Sequence, residues 1–456
     1  MVKRFEIHAH TEYSNLRLLD SINKPKRLID RAIELGLSGI AITDHEALCG
    51  HVVANKYAQE VQKEHPDFKV ALGNEIYLTE TRESKQKYYH FILIAKDAIG
   101  YKMLRMLSSL AWLQSYSDRG MERVPTLKSE LINIIELFGK GHLIASTACL
   151  GGELSTLTLA LCNAKTQEEI SYYQNQINDF ITFGQLWFGP NFYIELAPGR
   201  SPEQIAVNQR LKAIANFYQV KLVIGSDAHF LRKEDRYVHS SYLNSQDGER
   251  EVDLFYEYAY LQNNEEIIEN LKVADYTEEE IMQMFKNSNH IYKKIENYSL
   301  EHKQKIPQVD VPSYPKGKQY YTDTKWKTLN YLLNSEDKHE RYWVNQCLES
   351  LMQKGLFNDD YLDRLEEEAK VKKIIGEKLE TNMYCYPITL QHYINLIWEC
   401  GSTIGAGRGS SCSGLNHYLL GVTQLDPIVW KFPFFRYLNE ERVELGSLLL
   451  ILPSCK

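Results

Sequence analysis

No stretch of this sequence is apolar for long enough to cross a bilayer. Runs such as "LLLIL" near the end stop at five residues, against the roughly 20 that a spanning helix needs. The opening "MVKRFEIHAH" lacks the apolar segment of a secretory signal. Cysteine is sparse, 8 in 456 residues, with no tight spacing that would mark a disulfide framework. These absences predict a protein of a reducing compartment, the cytoplasm, with no membrane partner. Excess positive charge is missing too. The formal net charge is −8, so a nucleic-acid partner would have to meet a local basic surface. No low-complexity segment or repeat of fixed period occurs.

What is present fits a globular protein. Hydrophobic residues make up 44% and charged residues 25%, enough for ordinary cores, and the length suggests two to four domains. The first half alternates short β-rich runs with helical stretches. The runs are "RFEIHAH", "GIAITDH", "KVALGNEIYL", "HFILIAK", "HLIAST", "NFYIEL" and "KLVIGSDAH". Between the first two, "NKPKRLIDRAIELGL" carries Pro25 near its start and Gly36 at its end, the usual asymmetry of a helix. Another helical pattern starts at about Ala47. Such alternation predicts a parallel sheet. About 230 residues to His229 suit a closed β/α barrel, with a doubly wound open sheet as the alternative.

From about Leu261 the pattern becomes mostly helical, with a capping box at Thr277 and Glu280. Residues 299–322 hold three prolines and little periodicity, and read as a linker or extended bridge. A second helical region runs from about Lys325 to Glu399, followed by "GSTIGAGRGSSCSG".

Residues able to bind metal lie at or near the β-runs. His8 and His10 stand two apart in "FEIHAHTEY", so on a strand they share one face. Asp44 and His45 close "GIAITDH", and Glu75, His90 and Cys149 lie in or beside later runs. Asp227 and His229, again two apart, end "KLVIGSDAH". Strand ends of a β/α barrel open into one mouth, so these side chains can converge. Imidazoles, carboxylates and a thiol together form a metal-site composition. Their number suggests more than one ion. Each taken alone has a plainer reading: Cys149 as a buried apolar residue, Asp44 as a helix cap, Asp20 as a turn residue.

An ordered series of motifs carries a resemblance. "HAHTEYSNLRLLD", "AITDHEALCG", "GNEIYL", "YYHFILIAKDAIGYKML", "LIASTACLGGEL", "FYIEL" and "GSDAHFL" together span residues 5–230. The sequence resembles the bacterial DNA polymerase III alpha subunit family, with its N-terminal polymerase-and-histidinol-phosphatase (PHP) domain. The resemblance implies a distorted seven-stranded (βα)7 barrel holding up to three divalent metals, Mn²⁺ or Zn²⁺ by the mixed ligand set. The implied ligands are His8, His10, Asp20, His45, Glu75, His90, Cys149, Asp227 and His229, with Asp44 as a catalytic group that orients or polarises His45 or a bound water. Metal-assisted phosphoester hydrolysis follows, acting as a 3′→5′ exonuclease on DNA. A small-molecule phosphoesterase and a metal-stabilised, non-catalytic module are the alternatives.

The stretch "STIGAGRGSSCSGLNHYLLGVTQLDPIVWKFPFFRYLNEERVEL" resembles the polymerase palm of the same family. Gly407, Arg408, Gly409, Ser410 and Ser411 match its nucleotide-triphosphate loop, which suits backbone and hydroxyl donors beside a guanidinium. The expected order is a PHP domain over 1–295, a linker over 296–322, an incomplete, mostly helical palm over 323–446 and a divergent tail over 447–456. No aspartate follows Asp426, so the carboxylates that would hold Mg²⁺ in a complete polymerase site are missing. The expectation is that this chain alone does not synthesise DNA, which a primer-extension assay tests. DNA, replisome subunits and a remaining polymerase fragment are the implied partners.

Overall fold

The structure is a computed structural model that describes residues 3–17, 19–83, 87–118, 121–245, 254–301, 305–317 and 325–441. The chain divides into two compact units, Met1–Leu300 and Glu301–Lys456. The expected tail over 447–456 lies outside the described residues.

The first unit is mixed α/β. Seven strands follow one another around a nearly closed sheet, and an eighth, Pro125–Leu127, pairs with the third. The seven are β1 (Phe5–Glu6), β2 (Gly39–Ile42), β3 (Lys69–Thr79), β4 (Tyr89–Ala95), β5 (Leu143–Ser146), β6 (Phe192–Leu196) and β7 (Lys221–Ile224). A parallel bridge between Ala9 and Ala228 brings the continuation of β1 beside that of β7. The alternation of side chains builds two cores. Ile92 and Ile94 of β4 and Ile144 of β5 face one, with Phe5, Tyr193 and Val223. Phe91, Leu93 and Ala145 face the other, against the surrounding helices. Helix Glu278–Lys294 adds Ile291 to the former core. It is capped by Thr277 and Glu280, each accepting from the other's backbone N–H.

One strand departs from the parallel sheet expected from the alternation. β4 runs antiparallel to both β3 and β5. The connection from β3 to β4 contains no helix among its described residues, and a parallel crossover needs a dozen or more residues, usually with one. Strand pairs joined so directly form a hairpin. The helix expected from about Ala47 begins at His51.

The second unit is helical, and no strand occurs among its described residues. Helices Lys327–Leu333, Lys338–Gln353, Asp359–Leu379 and Cys385–Glu399 pack around Trp343 and Tyr384. The proline-bearing stretch 305–317 is extended but is no free linker. Val311 is buried, Pro307 O accepts from Thr389 Oγ1 at 3.0 Å, and Tyr314 O accepts from the Arg341 guanidinium at 2.8 Å. Proline forbids a helix there, and neighbouring side chains satisfy the exposed carbonyls instead. No helix among the described residues is long and apolar enough to cross a membrane.

Candidate metal centre

The strand ends of the barrel deliver a buried cluster of imidazoles and carboxylates. His8 and His10 are fully buried, as are Glu75 and, to within a few per cent, His45, Asp227 and His229. Three groups of ligand-type atoms lie mutually close: His8, His10 and Asp227; His45, Glu75 and His90; His10, His45 and His229. His10 Nε2 is 3.0 Å from Asp227 Oδ1 and 3.3 Å from Glu75 Oε2. His45 Nδ1 is 2.6 Å from Glu75 Oε2, and His90 Nδ1 is 2.7 Å from Glu75 Oε1. Asp20 reaches His45 Nε2 at 2.9 Å. Cys149 lies at the edge, with Sγ 3.6 Å from His90 Nδ1. Asp20 and Cys149 fall outside the three groups.

Three residues at strand ends adopt left-handed backbone without being glycine: Glu46 (φ +49°), Ala148 (φ +59°) and Asp227 (φ +46°). Such conformations cost about 1–3 kcal/mol each and persist where the surroundings impose them. Here each lies two to four residues past the end of a barrel strand and turns the chain at the mouth.

The support beneath the rings sets their tautomers. His8 Nδ1 donates to Glu195 Oε1 at 2.6 Å. His10 Nδ1 donates to Ser14 Oγ at 3.1 Å, because that hydroxyl gives its own proton to Asp44 Oδ1 at 2.8 Å. His229 Nδ1 donates to the Asp227 carbonyl at 2.8 Å. Each neutral ring therefore turns a bare Nε2 inward. The Nε2 atoms of His8 and His10 are 3.0 Å apart, so two lone pairs face each other unless a proton or a cation lies between them. Both Glu75 oxygens, Asp20 Oδ1 and Asp227 Oδ1 are buried and make no aligned hydrogen bond, although ring nitrogens lie against the Glu75 and Asp227 oxygens. Crowded imidazole nitrogens and carboxylate oxygens without aligned hydrogen bonds fit a divalent cation.

Electrostatics divide the rings: burial opposes charge on His8 and His229, but Asp227, Glu195 and Glu75 raise the first well above its ordinary value and Asp20 and Asp227 raise the second. Burial, with the neighbouring His45 and His229, pushes His10 down to about 3 and keeps it neutral. Burial also opposes charge on His45, but Asp20 and Glu75 outweigh it and raise the ring to about 10. Glu75 is held well below the usual carboxylate range; burial works against this, and His90, His45 and His8 prevail. Burial, then Asp227 and Glu75, pushes the Cys149 thiol up. Without a cation the cluster balances its own charges by protonating imidazoles.

Two family models match this chain: a PHP domain over residues 6–198 and a bacterial DNA polymerase III alpha NTPase domain over 336–447. The chain carries a PHP domain joined to a polymerase III alpha domain. It is 37% identical over 472 residues to the probable DNA polymerase YorL of Bacillus subtilis, covering 97% of this chain and 36% of that protein. It is 29% identical to the DNA polymerase III subunit alpha of Aquifex aeolicus, covering 97% of this chain and 35% of that protein. The chain thus spans about a third of the length of these relatives. A solved amidohydrolase structure from Chromobacterium violaceum matches at 15% identity and a TM-score of 0.27, over 50% of this chain and 87% of that one.

In the PHP domain, Asp44 does not touch the His45 ring as expected. Its carboxylate accepts from Thr11 N at 2.5 Å, Thr11 Oγ1 at 2.7 Å and Ser14 Oγ, and so sits beneath His10. Glu195 was not singled out by sequence reasoning. Its only signal is a carboxylate set inside the apolar run "FYIEL". In the polymerase III alpha domain, Gly407 (φ +152°) and Gly409 (φ +66°) shape the loop. Arg408 is exposed and Ser410 half-buried. Ser411 is buried, its Oγ 2.7 Å from His417 Nδ1. The loop is underpinned by the buried Glu368, which accepts from Leu415 N at 2.7 Å and Asn416 N at 2.9 Å. Glu368 was invisible in "RLEEEAK", where three glutamates adjoin.

Proposed function

We propose that the PHP unit is a divalent-metal-dependent phosphoesterase acting on the 3′ end of DNA, in a chain of the replicative DNA polymerase type. The carrying observation is the set of three overlapping ligand groups whose buried imidazole nitrogens and carboxylate oxygens converge without aligned hydrogen bonds for the carboxylates. The groups open into a pocket of about 300 Å³ that also takes in Asp20, Cys149 and two arginines. That volume is at the small end for ligand sites (about 300–1,000 Å³).

In this reading His8, His10 and Asp227 hold one ion, His45, Glu75 and His90 a second, and His229 with Asp20 completes a third position; Cys149 is a ligand at the rim. Mn²⁺ or Zn²⁺ suits this nitrogen-rich set better than Mg²⁺. Bound ions would neutralise phosphate oxygens and make hydroxide available near neutral pH. The protein's own part is orientation. Glu195 fixes His8, and Asp44 fixes His10 through Ser14, so Asp44 is a positioning residue. We further propose that the PHP domain spans residues 1–295 of the first unit. Gly407, Arg408, Gly409, Ser410 and Ser411 contact nucleotide phosphates. DNA and replisome subunits are the partners, and the cytoplasm is the location.

The test is digestion of a 5′-labelled single strand by the Mn²⁺-loaded chain. A ladder shortening from the 3′ end, abolished in Glu75→Gln, is the expected result. Hydrolysis of a phosphomonoester but not of DNA would replace this reading with a small-molecule phosphoesterase. Retained metal without any hydrolysis would leave a structural role.

A further inference from the structure

Two arginines line the same pocket as the cluster. Arg17 Cζ lies 3.6 Å above the centroid of the Tyr77 ring. Its Nε is buried without a hydrogen-bond partner, and its charge is felt by the buried Glu46 carboxylate. Arg123 Nε is likewise buried and unbonded, with Asp118 Oδ2 at 3.8 Å. Both side chains, with Tyr88 and Tyr256, face the pocket that contains His45, His90 and Asp227. Both side chains are half-buried and leave one donor each unbonded, and the planar fork of a guanidinium matches a phosphate.

Tyr77 packs against Arg17 and also adjoins the imidazoles. Its ring centroid is 4.8 Å from that of His90 and 5.8 Å from that of His45. Arg17 is therefore carried by a ring that itself adjoins the cluster. Tyr256, whose ring meets His229 edge-on at 5.4 Å, supplies an aromatic wall against which a base can pack.

We propose that Arg17 and Arg123 form a phosphate clamp for the nucleotide next to the reacting one, which makes the site selective for an unpaired strand over a mononucleotide. Tyr77 holds Arg17 flat by cation–π contact. The proposal rests on the phosphoesterase reading for the position of the reacting phosphate, but its test is a binding measurement and does not need turnover.

The probe is a fluorescently labelled four-nucleotide oligothymidylate, titrated with the full Mn²⁺-loaded chain at several salt concentrations. Thymidine monophosphate serves as competitor. Arg17→Gln and Arg123→Gln should each weaken the oligonucleotide about tenfold, as expected for losing a charge-assisted contact. Each should also reduce the slope of log K against log salt by about 0.7. Mononucleotide competition and metal content should stay as in the wild type, which also shows that the variants fold. Arg17→Lys, which returns the charge, should restore the salt slope. Unchanged oligonucleotide affinity in both glutamine variants, or an equal loss for the mononucleotide, would overturn the clamp. Arginine-dependent binding without hydrolysis would sink the phosphoesterase reading and keep the clamp. Hydrolysis with arginine-independent binding would do the reverse.

Discussion

Replacing Glu195 by glutamine should weaken metal binding without unfolding the barrel. Glu195 is 1% exposed. One carboxylate oxygen accepts from His8 Nδ1 at 2.6 Å and the other from the Ser146 hydroxyl. Glutamine has nearly the same shape. Its carbonyl can still accept from His8, and its amide can donate to Ser146 Oγ, so no buried group is orphaned. What disappears is the charge behind the imidazole. A hydrogen bond to a charged group contributes about 1.5–3 kcal/mol and a neutral one about 0.5–1.5. The difference is about 1–1.5 kcal/mol, or roughly tenfold in affinity, at the low end of the 10–100-fold typical when such a supporting group is removed. Chelator competition with Mn²⁺ or Zn²⁺ measures it, with near-ultraviolet circular dichroism as the check on folding. Affinity within about twofold of wild type in a folded E195Q would refute the claim that Glu195 tunes His8.

Three further outcomes follow from neighbouring geometry. Gly225→Ala would place a Cβ 2.1 Å from Glu195 Oε1 and 2.9 Å from His8 Cβ. It should lower Tm by overpacking worth about 1–3 kcal/mol and weaken metal binding at least as much as E195Q. In the second unit, Lys372 is fully buried with no hydrogen-bond partner for its ammonium. Burial, opposed by Glu368, lowers its pKa to about 8. The folded value lies below the unfolded value of about 10.4, so the folded chain holds fewer protons between those limits and stability rises with pH across them. Lys372→Met should therefore stabilise the chain by about 1–3 kcal/mol at pH 7. The gain should vanish near pH 10, read as the difference in Tm; destabilisation at pH 7 would mean the ammonium is well paired. Chelation with EDTA should lower the melting temperature by the linkage of lost ions, about 4 kcal/mol when free metal had been a thousand times Kd, and excess Mn²⁺ should reverse it.

The sequence made the ligand-type residues legible because strand periodicity is simple. His8 with His10, and Asp227 with His229, sit two apart at the ends of apolar runs, and the structure brings both pairs together. Helix limits such as Pro25 and Gly36 were readable for the same local reasons. The reversal of β4 was not, since a short strand reads alike in either direction and only the helix-free connection betrays it. Glu195 and Asp44 act through partners 187 and 30 residues away, contacts that no local pattern encodes. The stretch 305–317 looked like a linker because proline removes periodicity, yet its carbonyls are bound by side chains of later helices. Arg17 and Arg123 carried no signal at all, because exposed and pocket-lining arginines look the same in one dimension.

The central claim is that the buried cluster binds divalent cations through the histidines of the first strand. Metal content by inductively coupled plasma mass spectrometry, after equilibrium dialysis of the full chain against Mn²⁺ or Zn²⁺, addresses it directly. The account expects more than one ion per wild-type chain and a loss of at least one in the folded His8→Ala/His10→Ala double variant. Metal at background level in the wild type, or the same content in the double variant, would contradict it.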